Sequence, residues 1–586
     1  MTSGVEFPFD ELRKVGAGRV VTVMAKLGDP VRLTILGRAA SFSARESRRP
    51  PFQRKERLGT ARRARSAPVC GSIALLLGLA LTPHSFLGVA RAQTVTSPPS
   101  APAQPPDIEP EPDRWRVLLP LGIGVKPRSP LYDPYSPNVL KGDYPIYGDK
   151  LFLATAATLD SIVDFKRNLD FTDRIRNVPF HEDNTVGQVT ALLALELFHG
   201  DTVFAPKDWA VRVTPIFRYR CGDKNAIDQG CGEDARLLET FGEVKLFEIG
   251  RTFDATSARL GLQFFNSDFF GFIYNDVQPG IRFFSELARN RYKVNVALFD
   301  RLNKEQLSGL NEFKRRDDQV WVMSFEWDDF IFPGFNILPN FVVNVDDKLA
   351  GTTLRAYYVG LTTNGHIERF NVTSAFYYVF GDTAQNTPNK RSQSISAGMA
   401  FAQVAYPIDF LAPRLAVVYA SGDRDPTDRL ATGFDSVFDN VAFGGGQFSY
   451  LFGEKIQLGA TTLLRGNSVF PSLRGANATS QFVNPGIVAL NAGVDVAVTP
   501  KTLFEANVNY ARFDDTASLQ VLTKRAKVSA AIGDELNAGV TYRPLLNEQI
   551  ILFGGGAVFF PGQGIKDTFG TDQTVYKALV RVILTF

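Results

Sequence analysis

The chain has 586 residues, of which 45% are hydrophobic and 21% are charged. Apart from a short apolar run near residue 75, no stretch approaches the roughly 18 uncharged apolar residues that a membrane helix needs, so any membrane crossing has to be made by strands. The net charge of +3 comes from the N-terminus, because residues 1–66 hold 15 Lys and Arg against 6 Asp and Glu, which leaves 49 against 55 elsewhere. This mildly acidic remainder gives no reason to expect nucleic acid as a partner.

The cysteines and histidines carry no recognisable redox or metal chemistry. Cys70, Cys221 and Cys231 form no CxxC pair and no CxxCH motif, which excludes attached haem, and the four histidines share no metal-ligand spacing. The sequence also has no GxSxG and no HExxH motif. We therefore predict no metal site, no cofactor and no enzymatic activity.

Residues 67–92 have the layout of a secretory signal peptide. The basic cluster RKERLGTARRAR precedes the apolar run GSIALLLGLALT, and Ala90-Arg91-Ala92 places small residues before a cut at Gln93. We predict Sec export on this basis. Residues 1–66 are basic and irregular and lie ahead of the expected signal, so we interpret them as a start codon assigned too far upstream. A long functional leader is the alternative.

Residues 93–149 form the N-terminal part of the mature chain. The segment QTVTSPPSAPAQPPDIEPEP is too rich in proline for a helix or a strand ladder and predicts an extended periplasmic tether. It is either a passive spacer or, over residues 93–114, a docking arm for a periplasmic partner. The remainder, to residue 149, predicts coil that leads into the following domain or partly fills it.

From residue 150 to residue 586 the chain alternates apolar and polar residues in blocks of about ten, separated by polar or glycine-rich breaks. In FEANVNY (504–510) every even-numbered residue is apolar and every odd-numbered residue is polar. Alternation of this length predicts an all-β, transmembrane antiparallel up-and-down β-barrel of about 18 strands (16–20), with one face toward lipid and a wet interior.

Two short segments resemble known barrels. The C-terminal strand YKALVRVILTF ends on Phe586 and resembles the C-terminal signature of bacterial outer-membrane proteins, and VTPKTLFEANVNY resembles the turn and strand of general porins. The first resemblance implies recognition by the barrel-assembly machinery and a setting of outer-membrane lipid and lipopolysaccharide in a Gram-negative-type bacterium. The loop YASGDRDPTDRLATGFDSVFDN resembles one in alginate-export-type barrels.

The connections differ in length, as expected for short periplasmic turns and long external loops. Thr499-Pro500-Lys501-Thr502 predicts a tight turn, whereas residues 422–440 and 466–484 are long and loop-like. The loop residues Asp423, Asp425 and Asp428 are compatible with bound Ca²⁺, but the glycine and distal glutamate of an EF-hand are missing, which favours a solvated acidic loop.

The polar face of each strand supplies candidate pore-lining residues. Basic and acidic candidates fall on different stretches of the chain, which predicts opposed charge on facing walls and a field across the pore. Either the basic wall favours anionic or polar solutes, or its arginines pair with neighbouring carboxylates. The candidates are Arg212, Arg218, Arg220, Arg282, Arg291, Lys293, Glu326, Asp328, Asp495, Glu505, Lys577 and Arg581.

Cys221 and Cys231 bracket a short polar segment just past a strand end, which predicts a structural disulfide in an oxidising compartment. Together these features predict an outer-membrane channel for diffusion or selective uptake of small polar or anionic solutes. The alternative is an export or conduit barrel with a periplasmic partner, either an exporter of an anionic polymer or a sheath for an electron carrier. A structural or adhesive barrel is the third class.

Overall fold

A computed structural model describes residues 139–586 except 168–170, 174–177, 181–182, 201–205, 223–229, 250–253, 306–307, 350–351, 385–391, 453–478, 547–548 and 571. The predicted leader, the signal peptide and most of the proline-rich tether lie outside the described residues. Within residues 139–149, Lys141 forms a β-bridge with Ala154 and Tyr147 forms one with Leu151, so this part of the predicted coil lies against the start of the first long strand.

Eighteen long strands dominate the described chain. They are β1 (Leu151–Arg167), β2 (Asp183–His199), β3 (Trp209–Gly222), β4 (Gly230–Ile249), β5 (Asp254–Asn266), β6 (Asn275–Leu287), β7 (Tyr292–Lys304), β8 (Asn311–Trp327), β9 (Phe335–Leu349), β10 (Thr352–Ile367), β11 (Phe370–Thr383), β12 (Gln393–Ala405), β13 (Leu411–Ala420), β14 (Ile487–Thr499), β15 (Thr502–Arg512), β16 (Ala531–Tyr542), β17 (Ile550–Pro561) and β18 (Val575–Thr585). Shorter pieces are the hairpin Phe171–Asp173 and Val178–Phe180, the strand Leu430–Ala431, and the helices α1 (Ala517–Thr523) and α2 (Gln563–Phe569).

The eighteen strands form one closed sheet. Each is antiparallel to its neighbours in the chain, and β18 pairs with β1 from Thr158↔Thr585 to Arg167↔Tyr576. At the end of this seam the Phe586 N–H donates to the Ala157 carbonyl at 2.8 Å. The predicted all-β antiparallel barrel of about 18 strands is confirmed.

The two faces of the wall have inverted polarity. In β15, Val508 and Tyr510 are 54% and 39% exposed, whereas Asn507 and Asn509 are buried. Successive side chains of a strand point to opposite faces, so the apolar residues lie outside and the polar ones inside. The same holds in β18, where Tyr576 and Val580 are exposed and Lys577 is buried. This is the arrangement that the sequence alternation predicts.

The two ends of the barrel carry different connections. The end that holds the C-terminus has short turns, such as the one where Thr499 pairs with Thr502, as predicted. The other end has longer connections, including residues 421–486, 513–530 and 562–574. Among the described residues, no helix combines the length and the apolar character needed to cross a membrane.

Two connections from the second end fold into the barrel. Residues 267–274 and 433–452 contribute phenylalanines and tyrosines to a buried cluster with inner-face residues of the wall. For example, the Phe272 ring lies 5.1 Å from that of Phe401 in β12. The prediction of an external loop at 422–440 is therefore wrong for residues 433–440. The physical reason is that these apolar side chains are removed from water only inside the barrel.

Candidate functional site

Inward-facing arginines line one side of the barrel interior. We call them the arginine wall: Arg212, Arg218 and Arg220 on β3, Arg236 on β4, Arg259 on β5 and Arg282 on β6. Their strand neighbours point outward, as shown by Trp209, Val211, Phe217 and Tyr219, which are 37% to 47% exposed. The sequence predicted four of the six, and it missed Arg236 and Arg259, which lie on strands with a less regular alternation.

The arginine wall is only partly neutralised by carboxylates. Arg212 lies 3.2 Å from Glu239 and 3.7 Å from Glu196, and Arg259 lies 2.7 Å from Glu243. In contrast, Arg282 donates twice to the Asn295 amide oxygen, at 2.6 and 2.9 Å. Arg218 donates to the Ser308 carbonyl and to the Thr190 hydroxyl. Some arginines of the wall therefore pair with carboxylates, whereas Arg218 and Arg282 donate to neutral oxygens.

Aromatic rings separate the arginines of β5 and β6. The Arg259 guanidinium lies 4.2 Å from the Phe241 ring and 5.6 Å from the Phe284 ring. Arg282 in turn lies 4.7 Å from Phe284 and 5.3 Å from Phe265. Cation–π attraction of this kind stabilises the position of each guanidinium, and because the rings carry no net charge it does not neutralise the guanidinium.

Lys293, Glu326 and Asp328 form one ion-pair group at the short-turn end. The Lys293 ammonium lies 2.9 Å from Glu326 and 3.0 Å from Asp328. Arg291 lies in the exposed turn before β7, and its carbonyl accepts from the Asp328 N–H at 2.9 Å. The sequence predicted that basic candidates such as Lys293 and acidic candidates such as Glu326 occupy different, facing walls, and for these two residues the structure differs. They are cross-strand partners, because β7 and β8 pair them directly.

Asp495 and Glu505 also face each other on adjacent strands, β14 and β15. Arg414 of β13, which the sequence analysis missed, forms an ion pair with Asp495 and lies 4.0 Å from Glu505. The Arg414 nitrogen that lies near Glu505 also donates to the Asn507 amide oxygen at 2.6 Å, at the edge of a chain of buried asparagines. Arg414 therefore links the side chains of β14 and β15 in this part of the wall.

The closing strand contributes Lys577 and Arg581 to the interior. Arg581 makes a bidentate pair with Asp160 of β1, at 2.8 and 2.9 Å, and donates to the Gln447 amide oxygen at 3.1 Å. Lys577 lies 3.9 Å from Asp164, also on β1. A bidentate arginine–carboxylate pair such as this one is stronger than a hydrogen bond between neutral groups. Both side chains therefore tie the seam together as well as facing the interior.

Asp268 fixes the 267–274 loop inside the barrel. Its carboxylate accepts the backbone N–H groups of residues 270–273 at 2.7 to 3.3 Å, and the Tyr377 hydroxyl at 2.9 Å. The Ile273 carbonyl then accepts the N–H groups of Val437 and Phe438, at 3.1 and 3.0 Å. The first loop therefore holds the second.

Residues 433–452 cross the interior from this anchor to the opposite wall. Gly444 accepts from Asn509 and Asn537 at 2.7 and 2.6 Å, and Gln447 reaches Arg581. The Phe448 ring fills space left by glycines on the wall, since a Cβ on Gly539 would lie 2.3 Å from it. The contacts of residues 444–448 are made with β15 to β18, whereas the arginines of the wall lie on β3 to β6.

A buried charge network supports the wall behind Phe438. Asp318 lies 2.7 Å from Arg301 and 2.9 Å from Arg316, and it also accepts from the Asn344 amide at 2.6 Å. All three charged side chains are at most 2% exposed. The sequence analysis missed this network because its members are spread over β7 to β9 and only the strand pairing brings them together.

Cys221 and Cys231 occupy paired positions on β3 and β4 and form a disulfide, with Cα atoms 4.0 Å apart. The bond closes the connection between the two strands beside Arg220.

Asp423 gives the long connection a pH-dependent contact. Burial raises the pKa of its carboxyl to about 6, against hydrogen bonds from Thr432 that favour the charged form. Because this value exceeds the roughly 3.9 of an unfolded aspartate, the folded loop loses stability as the pH rises through about 6.

We expect proteolysis of residues 421–432 to speed up between pH 5 and pH 7, relative to Asp423→Asn measured at each pH with the same protease. Exposed Asp425→Asn is the matched control and should behave as wild type. Equal pH responses of wild type and Asp423→Asn would contradict this prediction.

In the part of the chain that the structure describes, no group of three His, Cys, Asp or Glu side chains is placed to hold a metal ion. His199 lies at the end of β2, where its Nδ1 is 2.8 Å from Asp208 and its ring stacks on Trp209.

No protein-family model matches the chain, and no curated protein matches it. Solved structures with a similar fold include OccK5 (OpdH) of Pseudomonas aeruginosa, with 11% identity and a TM-score of 0.43 over 74% of this chain and 98% of that one. OccK1 (OpdK) of the same organism gives 10% and 0.43 over 73% and 99%. OccAB1 of Acinetobacter baumannii gives 11% and 0.45 over 74% and 97%.

Proposed function

We propose that the chain is an outer-membrane channel through which small polar or anionic solutes diffuse or are selectively taken up. The observation that carries the proposal is a closed barrel of 18 strands with an apolar outer face and an arginine-lined inner face. A barrel of this strand number is wide enough to enclose an aqueous path. The proposal assigns no catalytic step and no cofactor to the chain.

The location follows from the same inverted polarity. Outward apolar residues suit lipid and lipopolysaccharide, whereas inward charges need water. The predicted export signal at 67–92 and the C-terminal strand ending on Phe586 support passage through the periplasm and insertion by the barrel-assembly machinery. Residues 93–114 would remain in the periplasm, where a partner protein could be engaged.

The contacts of residues 433–452 favour a channel for small solutes over the export or conduit alternative. A polymer or a protein electron carrier needs an unobstructed bore, but this segment is hydrogen-bonded to β15, β16 and β18 and occupies part of the interior. A small solute needs only the side that borders the arginine wall.

Planar-bilayer recording of the purified full-length protein tests the proposal. We expect discrete conductance steps in KCl, of a size compatible with a partly filled barrel, and no steps from protein unfolded by heat. Folded protein that inserts into bilayers and produces no steps would contradict the proposal and favour a structural or adhesive barrel.

A further inference from the structure

The described chain begins on the inner side of the barrel mouth, at the short-turn end. The Leu140 carbonyl accepts hydrogen bonds from the N–H and the hydroxyl of Thr155 in β1, at 2.6 and 2.9 Å. Gly142 lies over inward-facing side chains, since a Cβ on it would be 3.4 Å from that of Ala154 and 3.6 Å from the Phe198 ring. This stretch therefore lies against the inner face of β1 and β2.

Phe586 limits the direction of the preceding chain. It occupies the edge of β1 next to Leu140, where its N–H donates to the Ala157 carbonyl at 2.8 Å. The chain ahead of Val139 therefore cannot extend the sheet along β1. Because Gly142 lies on the inner face, the segment that precedes Val139 is attached inside the mouth.

The arginine wall begins close to this point of attachment. Ala154 pairs with Glu196 in β2, and Glu196 pairs with Arg212 in β3, so the wall starts two strands away, or roughly 10 Å along the sheet. Arg212 is buried, but the other five arginines of the wall are partly exposed. The side chains of Arg236 and Arg259, for example, are 29% and 22% exposed. Because these side chains point inward, their exposed surface faces the barrel interior.

The sequence ahead of Val139 contains an acidic run that complements the arginine wall. In DIEPEPD (107–113) every second residue is acidic and no residue is basic. Its two prolines favour an extended chain, in which residues two apart are separated by about 6 to 7 Å. Arg218 and Arg220 have the same spacing, because they are two apart on a strand. The 25 residues between the run and Val139 can span on the order of 80 Å, so the run can reach the whole wall.

We propose that residues 107–113 bind along the arginine wall inside the barrel and close the path that residues 433–452 leave open. This closure rests on the proposed function, since it has an effect only in a channel. Opposite charge attracts the run to the wall, and its covalent link at the mouth keeps its local concentration high. In the released state the run lies in the periplasm, where a partner that binds residues 93–114 would hold the channel open.

Neutralising the acidic run in the full-length protein tests this closure in planar bilayers. Single channels of the wild type should show long closures in 0.1 M KCl, and these should shorten in 1 M KCl because salt screens the contact. In the neutralised variant, closures in 0.1 M KCl should be shorter on the order of tenfold, as expected from the loss of several partly exposed ion pairs. The variant combines Asp107→Asn, Glu109→Gln, Glu111→Gln and Asp113→Asn.

A synthetic peptide of residues 105–113 provides the matched control. Added to the neutralised variant, the peptide should restore the long closures. The same peptide with amides in place of its four carboxylates should have no effect. Equal closures with the two peptides would show that charge does not hold the run in the barrel, and this overturns the proposal.

Arg236→Gln combined with Arg259→Gln tests the wall side of the contact. The double substitution should shorten wild-type closures roughly tenfold, because two partners of the acidic run are lost. Arg315→Gln removes a charge from the exposed outer pair with Asp300 and should leave the closures unchanged.

The possible outcomes distinguish this inference from the channel proposal. No conductance in any variant or salt concentration contradicts the channel. Conductance with the same closures in the wild type and the neutralised variant overturns closure by residues 107–113. Closures that the acidic substitutions shorten but the double arginine substitution leaves unchanged overturn the arginine wall as the place where the run binds.

Discussion

Replacing Asp318 by asparagine is expected to destabilise the folded barrel by about 3 to 5 kcal/mol, because the change leaves two buried arginines without their shared carboxylate. Arg301 and Arg316 both lie within 3 Å of Asp318 and are at most 2% exposed. Asp276 and Asp346 are 4.0 and 3.7 Å from these arginines and compensate only weakly. Urea unfolding in detergent micelles, followed by tryptophan fluorescence, measures the loss.

The control for this prediction lies on the same two strands. Asp300 and Arg315 form a pair at 2.8 Å, but their side chains are 37% and 64% exposed. An exposed pair contributes about 0 to 1 kcal/mol, so Asp300→Asn should be nearly neutral. If the two substitutions cost the same, the buried network does not stabilise the wall.

Replacing Asp268 by alanine is expected to release the loops that fold into the barrel. Four backbone N–H groups and the Tyr377 hydroxyl lose their acceptor in a buried site, and each unsatisfied group costs about 1 to 3 kcal/mol. Residues 433–452 depend on this loop through the Ile273 carbonyl. We therefore expect single-channel conductance to rise and current noise to increase, because part of the interior is vacated.

Asp254→Ala is the matched control for loop release. Asp254 also accepts two backbone N–H groups, those of Ala288 and Arg289, but it does so at the exposed short-turn end. Its loss should leave conductance unchanged. Wild-type conductance in Asp268→Ala, together with normal folding, would show that residues 267–274 and 433–452 do not restrict the path.

The period-two alternation was sufficient to predict the barrel, its strand number and the facing of residues such as Arg212 and Lys577. The ion-pair partners of these inward-facing residues were not predictable in the same way. A carboxylate such as Asp160 contacts Arg581 only because β1 pairs with β18 to close the barrel. Register, which pairs Lys293 with Glu326, is a property of two strands and their turn, whereas alternation is a property of one.

The inward loops left a signal that the sequence analysis did not use. SDFFGFIY (267–274) and GFDSVFDNVAFGGGQFSYLF (433–452) are rich in phenylalanine and lack the alternation of a strand. Exposed loops do not normally concentrate large apolar residues, so this composition indicates loops that bury themselves. Their partners on the wall, including Asn509, Asn537 and the glycine beneath Phe448, could be assigned only from the structure.

The permeation path is expected to run along the arginine wall. The reversal potential of single channels in a KCl gradient tests this expectation most directly. We expect anion selectivity in the wild type and a shift toward cations when Arg218→Ala and Arg220→Ala are combined, because positive charge leaves the interior. Arg315→Ala, which removes an arginine from the exposed outer pair with Asp300, should leave the reversal potential unchanged. Cation selectivity that the double substitution leaves unchanged would contradict the account.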